Sequence, residues 1–308
     1  MHKKTLSIFN NNCLCLIACR NIIGVAIHLR ETSGVTVQNC TFFNNHNQYP
    51  PFHRVKSNET TSADELDYFG IPSGGISMYS KKAVSLEVDS CTFVNNSANN
   101  NTFHVQRPLW LKPGGHGGAI YLQLPDVNLS NVSIHNSTFI SNFAEINGGA
   151  INFRLQRGNN NVFRISSCNF TNNNASATSG GALAIELSGK CENNSFKVEG
   201  CTFKQNHAVH SHGGALAIEI FGKSEKNSFA VEECTFKENS ADGGGAVSVA
   251  VYDFHKSKKG GKGVSADQIT LRNTSLVGNC AKWEGSALGL FSFYSAGAFP
   301  YAVKIKDW

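Results

Sequence analysis

Polar and apolar positions alternate along residues 180–204. In "GGALAIEL", Leu183, Ile185 and Leu187 share one face, and Ala182, Ala184 and Glu186 share the other. "SFKVEG" places Phe196 and Val198 on one side with Lys197 and Glu199 opposite, and "CTFK" separates Cys201 and Phe203 from Thr202 and Lys204. A period of two predicts short strands with one buried face. Gly-Gly and Asn-Asn pairs between them predict turns. Helix-pair repeats would need apolar stripes at a spacing of 3.6, which these units lack.

The same phrase is then written again. Residues 180–206 and 213–239 are identical at 20 of 27 aligned positions. A Gly-Gly-small-apolar step recurs at Gly117, Gly148, Gly180, Gly213 and Gly244, with degenerate copies at Gly74 and Gly285 and a weaker one at Gly24. It alternates with aromatic-x-x-Asn at Phe42/Asn45, Phe93/Asn96, Phe139/Asn142, Phe170/Asn173, Phe203/Asn206 and Phe236/Asn239, and with Leu276/Asn279. Three short strands per unit, repeated every 31 to 33 residues in the regular section, predict one coil of a solenoid. The fold class expected is all-β: a right-handed, single-stranded parallel β-helix of about eight coils with inserted loops, about 38 Å long at the strand spacing. Residues 1–21 are expected to be an N-terminal segment or imperfect first coil. Residues 22–308 are expected to form the β-helix domain, a section of a longer solenoid, because an uncapped end exposes strand edges.

Stacking then explains the odd residues. Each position lies over its equivalent in the next coil, about 4.8 Å away. Phe42, Phe93, Phe139, Phe170, Phe203 and Phe236 are expected to form an internal aromatic stack. Asn45, Asn96, Asn142, Asn173, Asn206 and Asn239 are expected to form a ladder at a turn, where Asn tolerates left-handed backbone and its amide bonds neighbouring coils. Cys40, Cys91, Cys168, Cys201 and Cys234, each two residues before the repeat phenylalanine or its equivalent, are expected inside as reduced thiols. Inter-coil disulfides are the rival reading.

The alternation of aromatic-x-x-Asn with Gly-Gly-Ala-[Ile/Leu/Val], from roughly Gly24 to Leu290, resembles the repeats of the chlamydial polymorphic membrane proteins and of related right-handed β-helix proteins. That resemblance implies a surface-exposed, adhesin-like passenger, in some members followed by an outer-membrane barrel. This chain departs from that plan, having no barrel-like C-terminal third.

Composition changes the picture little. Charged residues are 16% of the chain, Gly is plentiful at 29, and the net charge of +5 is mild. No clustered basic face argues for nucleic acid. Lys3 and Lys4 precede an apolar run from Cys13 to Cys19, but Arg20 and Asn21 interrupt it and no small-residue cleavage site follows, which argues against a signal peptide. No apolar stretch reaches the ~18–20 residues of a membrane span.

Candidate chemistry is thin. Cys13 and Cys15 form only a CxC, without a partner pair at zinc spacing. His207, His210 and His212 read as a solvent-facing polar turn, and His116 in "GHG" reads as corner decoration. Glu186 and Glu219, with Arg154 one coil below Glu186, read as a surface charge ladder. No catalytic residues, metal ligands or cofactors are expected.

Two long insertions, 46–73 and 97–116, follow the Asn corner and so emerge side by side. They carry Tyr49, Phe52, Tyr68, Phe69, Phe103 and Trp110, residue types suited to recognition. A third insertion is basic at Lys256, Lys258, Lys259 and Lys262. Sequons at Asn58, Asn95, Asn100, Asn128, Asn131, Asn136, Asn174, Asn193 and Asn273 are compatible with a glycoprotein. The function expected is a non-enzymatic extracellular or cell-surface protein presenting loops for adhesion or recognition. Glycans or surface proteins are the candidate partners, and membrane anchoring would come through segments outside this chain. The alternative is a carbohydrate-active enzyme, a polysaccharide lyase or glycoside hydrolase, on the same fold.

Overall fold

A computed structural model describes residues 5–8, 15–17, 26–48, 73–99, 115–222, 224–252, 267–292 and 302–306. The strands form four long parallel sheets, here A to D, of nine, eight, eight and seven strands. One coil runs Leu183–Ser188 in sheet C, Ser195–Glu199 in sheet A, Thr202–Lys204 in sheet B and His207–His212 in sheet D. The next coil starts again at Leu216–Phe221 in sheet C. The chain is a right-handed parallel β-helix.

Register is strict. Ile120, Ile151, Leu183, Leu216, Val247 and Leu288 lie one over another in sheet C. Phe93, Phe139, Phe170, Phe203 and Phe236 do so in sheet B. The rings of Phe42 through Phe236 stack at centroid separations of 4.6 to 4.9 Å, their planes nearly parallel, and none is exposed. A second column, Phe163, Phe196 and Phe229, stacks from sheet A at 4.6 and 5.0 Å. Aromatic faces a strand spacing apart add contact energy to the area they bury.

The turn asparagines act differently from the expectation. Left-handed backbone belongs to the residue before each ladder member: Asn44, Asn95, Ser141, Asn172, Gln205 and Glu238. The ladder asparagine points inward and is buried. Asn206 shows the pattern: its Nδ2 donates to the Phe170 carbonyl and to Asn239 Oδ1, while its Oδ1 accepts from the backbone and side-chain amides of Asn173. Each amide therefore ties three coils and satisfies backbone groups that the corner leaves unpaired.

A second ladder, which the sequence reading missed, joins Ser130, Asn161, Asn194, Asn227 and Asp267 at the corner between sheets C and A. Sheet D was missed as well. Its strands are as short as two residues, as at Phe143–Ala144 and Asn174–Ala175, too short to show alternation. His207, His210 and His212 accordingly lie on a strand of sheet D and not in a turn.

At the Gly-Gly corner, Gly180 holds φ +73. A Cβ on Gly181 would overlap the Gly214 carbonyl and come within 2.6 Å of the His207 backbone. Only glycine permits that approach. Cys40, Cys91, Cys168, Cys201 and Cys234 are buried free thiols. Cys191 is buried too, and Cys280 is exposed. Burial pushes the Cys91 thiol up to about 12, and the hydrogen bond with Cys168 chiefly raises Cys201 to about 12.

Candidate functional site

Two features could carry function: the anchors of the inserted segments, and a polar cluster on the outer face of sheet C. The strand His46–Gln48 pairs in parallel with Ser97–Asn99 in sheet D. Residues 49–72 follow the first strand and residues 100–114 the second, so both segments leave from neighbouring rungs. The chain re-enters the coils at Ser73 and Gly115. A second pair of anchors lies where sheet C leads to sheet A. Residues 253–266 follow Val247–Tyr252 and residues 293–301 follow Leu288–Ser292, again on paired strands. Tyr49, Phe52, Tyr68, Phe69, Phe103 and Trp110 lie outside the described residues, as do Lys256, Lys258, Lys259 and Lys262.

The polar cluster corrects two sequence expectations. Alternation puts Glu186 and Glu219 on the outer face, and there they sit in direct register. That face is not open to water. Glu186 is 7% exposed, Glu219 5% and His116 5%. The corners from sheet D to sheet C fold over it: Gly180 lies against Ala184, and Gly213 against Ser248. Asn147 and Ser179, the residues ahead of two such corners, reach the carboxylates. The pair is therefore a buried cluster rather than a surface ladder, and His116 is part of it rather than decoration.

Its hydrogen bonds are dense. Asn147 Nδ2 lies 2.9 Å from Glu186 Oε1 and 3.4 Å from Glu219 Oε2, so one amide bridges the two carboxyl groups. Asn147 Oδ1 accepts from the Ser179 backbone at 2.9 Å and from the Thr178 hydroxyl. Asn152 Nδ2 donates to Glu186 Oε1 and lies 3.4 Å from His116 Nδ1. Arg154 Nε is 4.0 Å from Glu186 Oε2. His116 stacks on Tyr121 at 5.4 Å.

The electrostatics separate the two acids. Burial opposes ionisation of Glu186, but His116 while it carries a proton, Arg154, and the amides of Asn152 and Asn147 outweigh it, holding that carboxyl below its usual range. Burial and the Glu186 charge push Glu219 up to about 7. Burial pushes His116 down to about 4, so near neutral pH its imidazole is uncharged. Its 3.9 Å approach to Glu186 is then no ion pair, and Nδ1 serves as an acceptor facing Asn152. Arg154 and the amides of Asn152 and Asn147 face Glu186 whatever the charge on His116.

Two carboxylates meet here, with an arginine beside them; the three or more that bind calcium in an acidic site do not. Among the described residues no group of three or more His, Cys, Asp or Glu is placed to hold a metal ion. Among the same residues, no helix is long and apolar enough to cross a membrane. The signal that could have found the cluster was the run of small outward residues beside the glutamates, Ala184 and Ala217, over which a corner can close.

No curated protein sequence and no solved structure matches the chain. One family model matches residues 90–123, and its description is the Chlamydia polymorphic membrane protein repeat. The matched stretch runs from the Phe93/Asn96 step to the Gly-Gly-Ala step at Gly117 and into sheet C, so it spans one full alternation of the two motifs. Residues 90–123 are thus similar to the Chlamydia polymorphic membrane protein repeat, within a chain that folds as a parallel β-helix.

Proposed function

We propose that this chain is a non-enzymatic, surface-associated β-helix that presents its inserted segments for adhesion or recognition. The observation that carries the reading is the pairing of His46–Gln48 with Ser97–Asn99, which anchors residues 49–72 and 100–114 about one strand spacing apart. A rigid column fixes where such segments start and end, and the aromatic residues they contain suit contact with a partner. The matched repeat, named for membrane proteins, supports placement at a cell surface or outside the cell. Anchoring would come through segments outside this chain. Glycans or surface proteins are the partners proposed.

The test is a glycan array and a cell-binding assay on the intact chain, alongside variants Tyr68→Ser/Phe69→Ser and Trp110→Ser. Binding that falls in the variants while far-UV circular dichroism and melting stay unchanged is expected. No binding by the intact chain, or binding indifferent to both variants, overturns the reading.

A carbohydrate-active enzyme is the second reading; its acids would be Glu186 and Glu219 beside Arg154, which a polysaccharide would reach only with the covering corners opened. Release of reducing ends or unsaturated products from polysaccharides, lost in Glu219→Gln, would establish it.

A further inference from the structure

Asn147 and Thr178 meet at the corners of two successive coils, and the repeat calls for neither residue there. The position ahead of the Gly-Gly corner is His116, Asn147, Ser179 and His212 in successive coils, so Asn147 belongs to no ladder. Thr178 stands where the preceding coil has Ile146. Yet each atom of the Asn147 amide has a partner suited to chemistry. The Thr178 hydroxyl donates to Oδ1. The carbonyl carbon lies about 1.2 Å beyond that oxygen, so a small tilt of the amide presents it to Thr178 Oγ1. The Ser179 N–H also points at Oδ1, at 2.9 Å. On the nitrogen side, Nδ2 touches two carboxyl groups, Glu186 at 2.9 Å and Glu219 at 3.4 Å. Asn147 is 5% exposed, so water competes poorly with the hydroxyl for the carbonyl carbon.

A hydroxyl at the carbonyl, an N–H on its oxygen and carboxyl groups on the nitrogen are the parts of an acyl transfer. We infer that Thr178 Oγ1 attacks Asn147 Cγ and expels ammonia, leaving an ester that joins the corners of two adjacent coils. The Oγ1–Cγ bond forms and the Cγ–Nδ2 bond breaks. The Thr178 proton passes to Oδ1, which already accepts it, and the Ser179 N–H steadies the charge gathering there. Glu219 gives its proton to Nδ2, which departs as ammonia, and recovers one from Oδ1 as the carbonyl re-forms. No oxidant or other reactant enters. Burial and the Glu186 charge, which push Glu219 up to about 7, suit it to that part, since an acid must hold its proton near working pH. The contacts above are those of the unreacted pair. The product is a covalent tie between coils, across 31 residues of chain. It goes beyond the recognition reading and does not depend on it.

The test is the mass of the full chain, folded at neutral pH, then denatured and measured by mass spectrometry. A mass lower by one ammonia than the sequence requires is expected. Trypsin should then release the peptides of Asn147 and Thr178 as one species, although Arg154, Arg157 and Arg164 lie between them in the chain. Thr178→Val should keep the full mass, and Thr178→Ser should still form the link. Glu219→Gln should form it about a hundredfold more slowly or worse. The full sequence mass in the wild type overturns the inference, and that measurement needs no variant to fold. A loss of ammonia that persists in Thr178→Val overturns it as well, because closure of Asn147 onto Gly148 also releases ammonia but joins no peptides. An unchanged rate in Glu219→Gln overturns the mechanism. Glycan and cell binding are scored separately, so failure of the recognition reading leaves the mass result standing, and the reverse.

Discussion

Asn206→Ala removes one rung of the inner amide ladder and tests whether that ladder holds the coils together. The side chain is fully buried, so water does not replace what is lost. Its Oδ1 accepts from Asn173 N at 3.0 Å and from Asn173 Nδ2 at 2.9 Å. Its Nδ2 donates to the Phe170 carbonyl at 3.0 Å and to Asn239 Oδ1 at 3.0 Å. Asn239 Oδ1 keeps the Asn206 backbone donor, and Asn173 Nδ2 keeps the Phe139 carbonyl. The backbone N–H of Asn173 and one side-chain proton of Asn173 are left without acceptors. At about 1–3 kcal/mol for each stranded buried donor, the loss is about 2–6 kcal/mol.

The control is Asn172→Gly. Asn172 precedes the ladder with φ 54, and glycine adopts that conformation freely, so a change near zero is expected. Guanidinium unfolding followed by far-UV circular dichroism measures both, with the slope checked for a change in cooperativity, since solenoids can unfold in parts. Equal stability of Asn206→Ala and Asn172→Gly would refute the reasoning, for it would mean that the interior amides contribute no more than those of a solvated turn.

Further outcomes follow from the same geometry. Gly181→Ala drives a methyl into the Gly214 carbonyl and should abolish soluble folded protein. Gly200→Ala, whose new Cβ meets nothing nearer than 4.0 Å, should cost only the left-handed backbone preference of about 1–2 kcal/mol; soluble yield and circular dichroism separate the two. A maleimide probe on the native chain should label Cys280 and spare Cys40, Cys91, Cys168, Cys191, Cys201 and Cys234 until denaturant is added, as read by peptide mass spectrometry; labelling of those six before unfolding contradicts the packed interior. Glu219 binds its proton more tightly folded than unfolded, so its contribution to stability is full below its ordinary value of 4.5 and is lost as pH rises toward about 7. The loss is about 3 kcal/mol across that window, read as a fall in unfolding free energy that Glu219→Gln should not show. Glu186, held below its ordinary range, works in the opposite sense at lower pH, where stability falls as it is protonated.

What could be read from the chain was what each coil must repeat. Leu183/Ile185/Leu187 and Phe196/Val198 announce buried faces by alternation, and the Gly-Gly and Phe-x-x-Asn steps mark where coils turn, because a parallel stack makes every rung a template for the next. The parts that escaped lack a period. Sheet D offers only pieces such as Asn174–Ala175, which no alternation rule can assign. Asn161, Asn194 and Asn227 follow Asn or Lys at loops and look like ordinary turn residues until their amides are seen bonding through the corner. Glu186 and Glu219 were assigned correctly to the outer face, but alternation says nothing of what covers a face. The covering came from Asn147 and Ser179, residues outside any strand.

The measurement nearest to the central claim is a diffraction structure resolving the aromatic column. Rings of Phe139, Phe170, Phe203 and Phe236 should stack with parallel planes at centroid separations of 4.6 to 4.7 Å, with Asn173, Asn206 and Asn239 bonded in series beside them. Rings turned to solvent, or neighbours displaced by a residue of register, would contradict the account.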